Sequence, residues 1–135
     1  MFTSPLNAML LVKDVVKSVK FYKDVLGFTF SGYWDGKDCA QDWKSQEQPP
    51  YAGFDVKGAH LGIHPTDPSR KVGNSIELHM GVENADKYYQ EVKSRGGDVT
   101  EPKDTEWGAR MFQVKDPDGH IWDFYHMLDP SKCSS

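Results

Sequence analysis

The sequence predicts an α+β fold of two βαβββ repeats. Three observations carry that reading. The first is an internal repeat: at an offset of 70, Val12-Lys13-Asp14-Val15 falls on Val82-Glu83-Asn84-Ala85, and Leu26-Gly27 on Gly96-Gly97. Strand end, helix cap, helix and glycine stop therefore coincide. The second is a turn that repeats at an offset of 61, where Asp55-Val56-Lys57-Gly58 falls on Asp116-Pro117-Asp118-Gly119. The third is alternation of apolar and polar residues through most of the remaining segments, as half-buried strands require. A four-stranded sheet with one helix leaves one face uncovered. Two such sheets are therefore expected to form a cup-shaped, curved mixed sheet, with the helices outside and a cleft within.

Each element has its own local signal. LNAMLLV (6–12) is a short apolar strand. Asp14 is an N-cap, Val15, Val19, Tyr22 and Leu26 recur at helical spacing, and Gly27 ends the helix. FTFSGY alternates as a strand does, whereas 34–50 reads as a polar loop containing Trp34 and Trp43. YAGFDV and AHLGIH are two strands joined at Lys57-Gly58. The Pro/Gly/Ser-rich segment 65–74 is the internal linker. In the second half SIELHMGV is a strand, Asn84 caps a helix through Arg95, and Gly96-Gly97 stop it. A short strand starts near Val99, ARMFQVK is a strand, DPDG a tight turn and HIWDFYH the last strand. The reading is one domain over 1–126, with repeats at about 6–64 and 75–126 and a patternless tail at 127–135.

Composition narrows the function classes. A chain of 135 residues holds one core and no separate cofactor domain. With 4 Trp, 6 Tyr and 7 Phe it is too aromatic to be a disordered, charged chain. The formal charge is −4 and no basic stripe occurs, so a nucleic-acid partner is not expected. No apolar run approaches the roughly 18 residues of a membrane span. The opening MFTSPLNAML lacks a basic n-region, so no signal peptide is read and the cytoplasm is the expected compartment. Cys39 and Cys133 have no CxxC partners, which supports neither a zinc nor a disulfide framework.

Strand periodicity sorts side chains by face. Ile76, Leu78 and Met80 oppose Glu77 and His79, while Trp122 and Phe124 oppose Ile121, Asp123 and Tyr125. Ala59, Leu61 and Ile63 oppose His60, Gly62 and His64. The apolar sets should pack beneath the helices, Trp122 among them. The opposite sets bring His60, His64, Glu77, His79, Asp123 and Tyr125 to a polar, aromatic-rimmed surface.

The segments VKDVVKSVKFYKDVLGF, VENADKYYQEVKSRGGDV and WGARMFQVKDPDGHIWDF, in that order on a duplicated βαβββ, resemble the vicinal oxygen chelate superfamily. It includes glyoxalase I, extradiol dioxygenases, methylmalonyl-CoA epimerase, fosfomycin-resistance enzymes and bleomycin-resistance proteins. The resemblance spans about residues 6–126 and implies four inward metal positions. Carried over by motif, these fall at Asn7 and Glu77 on the first strands and at Gly62 and Asp123 on the last. Glycine has no donor atom, and two carboxylates are too few for zinc or nickel. His60 or His64 and His79 stand two residues along the same faces, so a displaced His/carboxylate site is the alternative.

The resemblance is better to the bleomycin-resistance branch, which keeps the duplicated cup, lacks the metal set and binds bulky aromatic or cationic drugs. On that reading no residue is catalytic and no cofactor is expected, with one divalent metal such as Zn, Ni or Fe as the fallback. The ligand-binding candidates are Trp34, Trp43, Tyr51, His60, His64, Glu77, His79, Trp107, Arg110, Asp123 and Tyr125. The aromatics would stack on the ligand and the acids, Glu77 and Asp123, match its charge, with Arg110 pairing with a carboxylate or orienting one of these acids. Trp107 opens a WGxR pattern that recurs in that branch. A small-molecule ligand and a homodimer are the implied partners. The alternatives are a metal-dependent lyase, isomerase or dioxygenase, and a metal-free enzyme in which His79 and Glu77 move a proton.

Overall fold

The computed structural model describes residues 1, 3–69, 72 and 76–128. The chain divides into two compact units, Met1–Val72 and Gly73–Ser135. Each is a βαβββ-type module with a mixed sheet and one helix, as the repeat predicts.

In the first unit β1 (Ala8–Val12) leads into a helix, α1 (Val15–Lys20), which continues as a π-helical segment over Phe21–Val25. The strands β2 (Thr29–Trp34), β3 (Cys39–Ala40), β4 (Tyr51–Val56) and β5 (Ala59–Pro65) follow. The sheet order is β1-β5-β4-β2-β3, with β1 parallel to β5 and the other pairs antiparallel. Asp14 caps α1 by accepting from Lys17 N at 3.0 Å. Val15, Val19, Tyr22 and Leu26, the predicted stripe, are all buried with Phe54, Leu61 and Ile63. Each large apolar side chain buried this way contributes about 1.5–3 kcal/mol. Gly27 closes the helix with φ +78°, a left-handed value that side chains resist.

The second unit repeats the scheme. It runs β6 (Glu77–Gly81), α2 (Ala85–Ser94), β7 (Asp98–Val99), β8 (Lys103–Asp104), β9 (Ala109–Lys115) and β10 (Ile121–Met127). Its order is β6-β10-β9-β7, with β8 also on β9 and β6 parallel to β10. Asn84 caps α2 through Lys87 N at 3.1 Å. Ala85, Tyr89 and Val92 of α2 are buried, as are Phe112, Val114, Trp122 and Phe124 of the sheet. In the DPDG turn Asp116 Oδ1 accepts from Asp118 N and His120 N at 2.9 and 2.8 Å. Its counterpart Asp55 accepts from Gly58 N at 2.9 Å, so the leading carboxylate braces both repeated turns, on different backbone donors.

Several expectations are corrected. The first helix is α-helical only to Lys20; Leu26 N then bonds Phe21 O at 3.2 Å, an i→i−5 closure. The segment expected to be all loop contains β3, which pairs Tyr33 with Ala40 and Trp34 with Cys39. Ile76 precedes β6 and is 70% exposed, because the parallel ladder on β10 begins at Glu77. Ala59 opens β5 at the turn and is exposed. Pro65 belongs to β5 and Met127 to β10, so linker and tail begin one residue later than predicted. Residues 70, 71, 73–75 and 129–135, with Cys133, lie outside the described residues. Among the described residues no helix is long and apolar enough to cross a membrane.

Candidate ligand-binding faces

In the second unit the strand register lines up one row of polar side chains on the sheet face opposite α2. Asp123 pairs with His79 on β6 and with Gln113 on β9. His79 Nε2 lies 2.7 Å from Asp123 Oδ2, with the His79 side chain 42% exposed and Asp123 only 1%. Gln113 Nε2 donates to Glu77 Oε1 at 3.1 Å. Asp123 Oδ1 is buried without a hydrogen-bond partner. Burial pushes the Asp123 carboxyl above the ordinary range and the Glu77 charge adds to this, while Gln113 and His79 pull it back. Tyr125 stands beside the row, 6.3 Å from the His79 ring and edge-on to Trp107 at 5.4 Å.

The same row in the first unit is nearly bare. Met9 pairs with Gly62, Gly62 with Gly53, and Gly53 with Gly32. A Cβ on Gly62 would meet Met9 Sδ at 2.8 Å and the Tyr51 hydroxyl at 2.9 Å, so those atoms already fill the position. The Tyr51 hydroxyl and His60 Nε2 share a short hydrogen bond, with the rings nearly parallel at 9°. Burial raises the Tyr51 phenol above its usual range. Trp34, Tyr51 and His60, over Gly32 and Gly53, border a hollow of about 330 Å³. Ser31 and Cys39 complete its wall, and three aromatic rings over a glycine floor suit a flat ring.

The predicted residues thus form two groups, one in each unit. Glu77, His79, Asp123, Tyr125 and Trp107 come together in the second unit, and Trp34, Tyr51 and His60 in the first. Three candidates fall elsewhere. Trp43 packs on buried Tyr33 at 5.9 Å and donates from Nε1 to Glu47 O at 2.8 Å, because Tyr33 points to the helix side of β2. Arg110 does not orient Glu77 or Asp123. Alternation puts it on the α2 side of β9, where it binds Asp86 at 3.1 Å and Asp104 at 3.1 Å. Both acids hold its guanidinium above the ordinary range. His64 is exposed at the end of β5 and its Nδ1 donates to Pro65 O at 2.8 Å.

The four-position metal set of the resemblance does not fit these residues. Asn7 lies before β1 and is exposed. The Gly62 position holds a thioether and a hydroxyl instead of a ligand donor. In the second unit donor atoms of Glu77, His79 and Asp123 lie within 4.8 Å of one another. The His79–Asp123 separation of 2.7 Å is nevertheless that of a hydrogen bond. Two ligands sharing one zinc would stand roughly 3.4 Å apart, given bond lengths near 2.1 Å and tetrahedral angles.

Sequence reading missed Gln113, Met9 and the glycine row, although signals for them existed. Counting back from DPDG places Gln113 opposite Asp123, and counting back from Lys57-Gly58 places Gly53 opposite Gly62. The 70-residue offset places Met9 at the position of His79.

A family model described as the Glyoxalase/Bleomycin resistance protein/Dioxygenase superfamily matches residues 5–124. YraH of Bacillus subtilis is 29% identical over 125 residues, covering 91% of this chain and 98% of that protein. The bleomycin resistance protein of Geobacillus stearothermophilus is 28% identical over 126 residues, 87% of this chain and 92% of its own length. TnmS3, an antibiotic binding protein from Streptomyces sp. CB03234, has a crystal structure similar in fold, with TM-score 0.68 and 23% identity over 94% of this chain and 98% of that one.

Proposed function

Because the chain belongs to the glyoxalase/bleomycin resistance protein/dioxygenase superfamily, we propose that it is a reversible binding protein that sequesters a small aromatic or cationic molecule, such as an antibiotic, without a metal. The observation that carries this reading is the Met9–Gly62–Gly53–Gly32 row, where a metal enzyme of the family would place a donor. Met9 and Tyr51 fill the Gly62 position, and Trp34, Tyr51 and His60 enclose a hollow beside it. Glu77 and Asp123 supply negative charge on the second-unit face. The relationship to bleomycin resistance proteins supports the same class of ligand.

The working form is a homodimer in this proposal. It is supported by Leu6 and Met9, 94% and 52% exposed beside and on the edge strand β1, since apolar groups left bare in this way mark interfaces. One observation favours a second reading, a metal-dependent lyase, isomerase or dioxygenase: the Glu77, His79 and Asp123 donors cluster within 4.8 Å. That reading requires His79 and Asp123 to give up their hydrogen bond.

The test is thermal unfolding with and without bleomycin and a panel of planar cationic drugs, each run with and without chelator. A ligand at a hundred times its Kd stabilises by about 2.7 kcal/mol. The expected result is a rise of several degrees that chelator leaves intact. No shift with any probe, or a shift only when metal is present, contradicts the proposal.

A further inference from the structure

We infer that the second-unit face selects a cation bearing N–H donors, an ammonium, amidinium or guanidinium group, over a quaternary ammonium or a neutral group. The inference rests on the binding function proposed above and names the ligand class for one of its two faces. An ionised carboxylate only accepts hydrogen bonds. Asp123 Oδ2, 2.7 Å from His79 Nε2, therefore holds the imidazole proton on Nε2. That leaves Nδ1 as an acceptor on a ring that is 42% exposed.

Glu77, two residues earlier on β6, is exposed on the same face. Its carboxylate has taken one hydrogen bond from Gln113, and a carboxylate offers about four acceptor sites. The face thus presents two acceptors, His79 Nδ1 and Glu77, backed by the charge of a buried acid. Asp123 Oδ1, buried and without a hydrogen-bond partner, leaves that charge only partly compensated.

Neighbouring groups agree with a compact cation. The T-shaped pair of Trp107 and Tyr125 borders the row and offers ring surface to positive charge. Gly81 follows His79 on the same face, and the place of its missing Cβ is 3.9 Å from the Tyr125 ring, so Gly81 itself adds no side chain to that edge. Of the basic groups on this face, Lys103 pairs with Met111 beside Tyr125, and Lys115 pairs with Ile121, which in turn pairs with Glu77. Lys115 therefore stands two strands from Glu77, roughly 9.5 Å across the sheet. A quaternary ammonium gains the charge attraction and the ring contact. It also strips water from His79 Nδ1 and Glu77 and returns no donor, which is the costly half of the exchange.

The experiment is calorimetric titration of the full chain, in chelator, with three probes on one aromatic body: 1-naphthylmethylammonium, its N,N,N-trimethyl counterpart and neutral 1-naphthylmethanol. The primary ammonium is expected to bind at least about tenfold more tightly than the trimethyl compound, as charge-assisted donors imply. That preference is expected to collapse toward unity in His79→Phe and in Glu77→Gln; melting curves check that both variants fold, since His79→Phe removes the partner of buried Asp123 and Glu77→Gln does not. Equal binding of the two cations, or a preference that survives both substitutions, overturns the inference. Equal binding of all three probes overturns it too and leaves the binding function standing, whereas binding of none overturns both.

Discussion

Gly62 and Asp123 occupy equivalent places in the two repeats, each paired with the first strand of its own unit, and they have opposite chemistry. Asp123 fixes a histidine, while Gly62 yields its space to Met9 and Tyr51. Gly62→Ala would drive a methyl to within 3 Å of both neighbours. Overpacking of this kind costs about 1–3 kcal/mol. The methionine is flexible and the tyrosine hydroxyl is bound to His60, so Met9→Ala should restore only part of the loss. Urea midpoints of the single and double variants check this; an unchanged midpoint in Gly62→Ala refutes the packing. Tyr88 gives a second test. Burial raises its phenol, with a smaller upward push from Glu91 and a downward pull from Arg95, and its ring packs on Phe124 at 4.9 Å. A proton held more tightly in the folded state contributes stability below the unfolded pKa, about 10, and loses it as pH rises beyond. Melting temperature should fall above about pH 10, and fall less in Tyr88→Phe. Identical alkaline profiles for the two proteins would contradict that assignment.

At the scale of elements, both helices begin alike. Asp14 and Asn84 bond the third helical N–H, a device read directly from the 70-residue offset. The first helical N–H is served differently: Val15 N donates to Gln48 Oε1 at 2.7 Å, and Ala85 N to His126 Nδ1 at 2.8 Å. Those partners are 33 and 41 residues away, so no local pattern announces them. Gln48→Ala and His126→Ala should each destabilise by about 1 kcal/mol, the usual worth of one such bond. Chemical denaturation measures it; no loss in either variant would mean that water serves these donors equally well. Strands with two-residue periodicity and glycine-stopped helices were legible because their signals are local. β3 and β8, two residues each, were not, because pairing to a neighbouring strand alone defines them.

For the whole molecule, duplication made the fold readable, since each half corroborates the other at cap, stop and turn. The candidate site was readable only in part. Glu77, His79 and Asp123 share a face by simple alternation, and so do His60 and Gly62. Arg110 falls by the same alternation on the α2 side of β9, whereas Trp43 lies in the loop after β3, where no strand parity places it. The proposed homodimer is tested by sedimentation equilibrium: a monomer at every concentration would contradict it. In the proposed function the family's metal position has become a surface for an organic ligand. The most direct measurement is elemental analysis of the purified protein joined to a melting curve in chelator. The expected result is far less than one equivalent of any transition metal per chain and an unchanged melting temperature. One equivalent of metal, lost together with much of the stability on chelation, would contradict it.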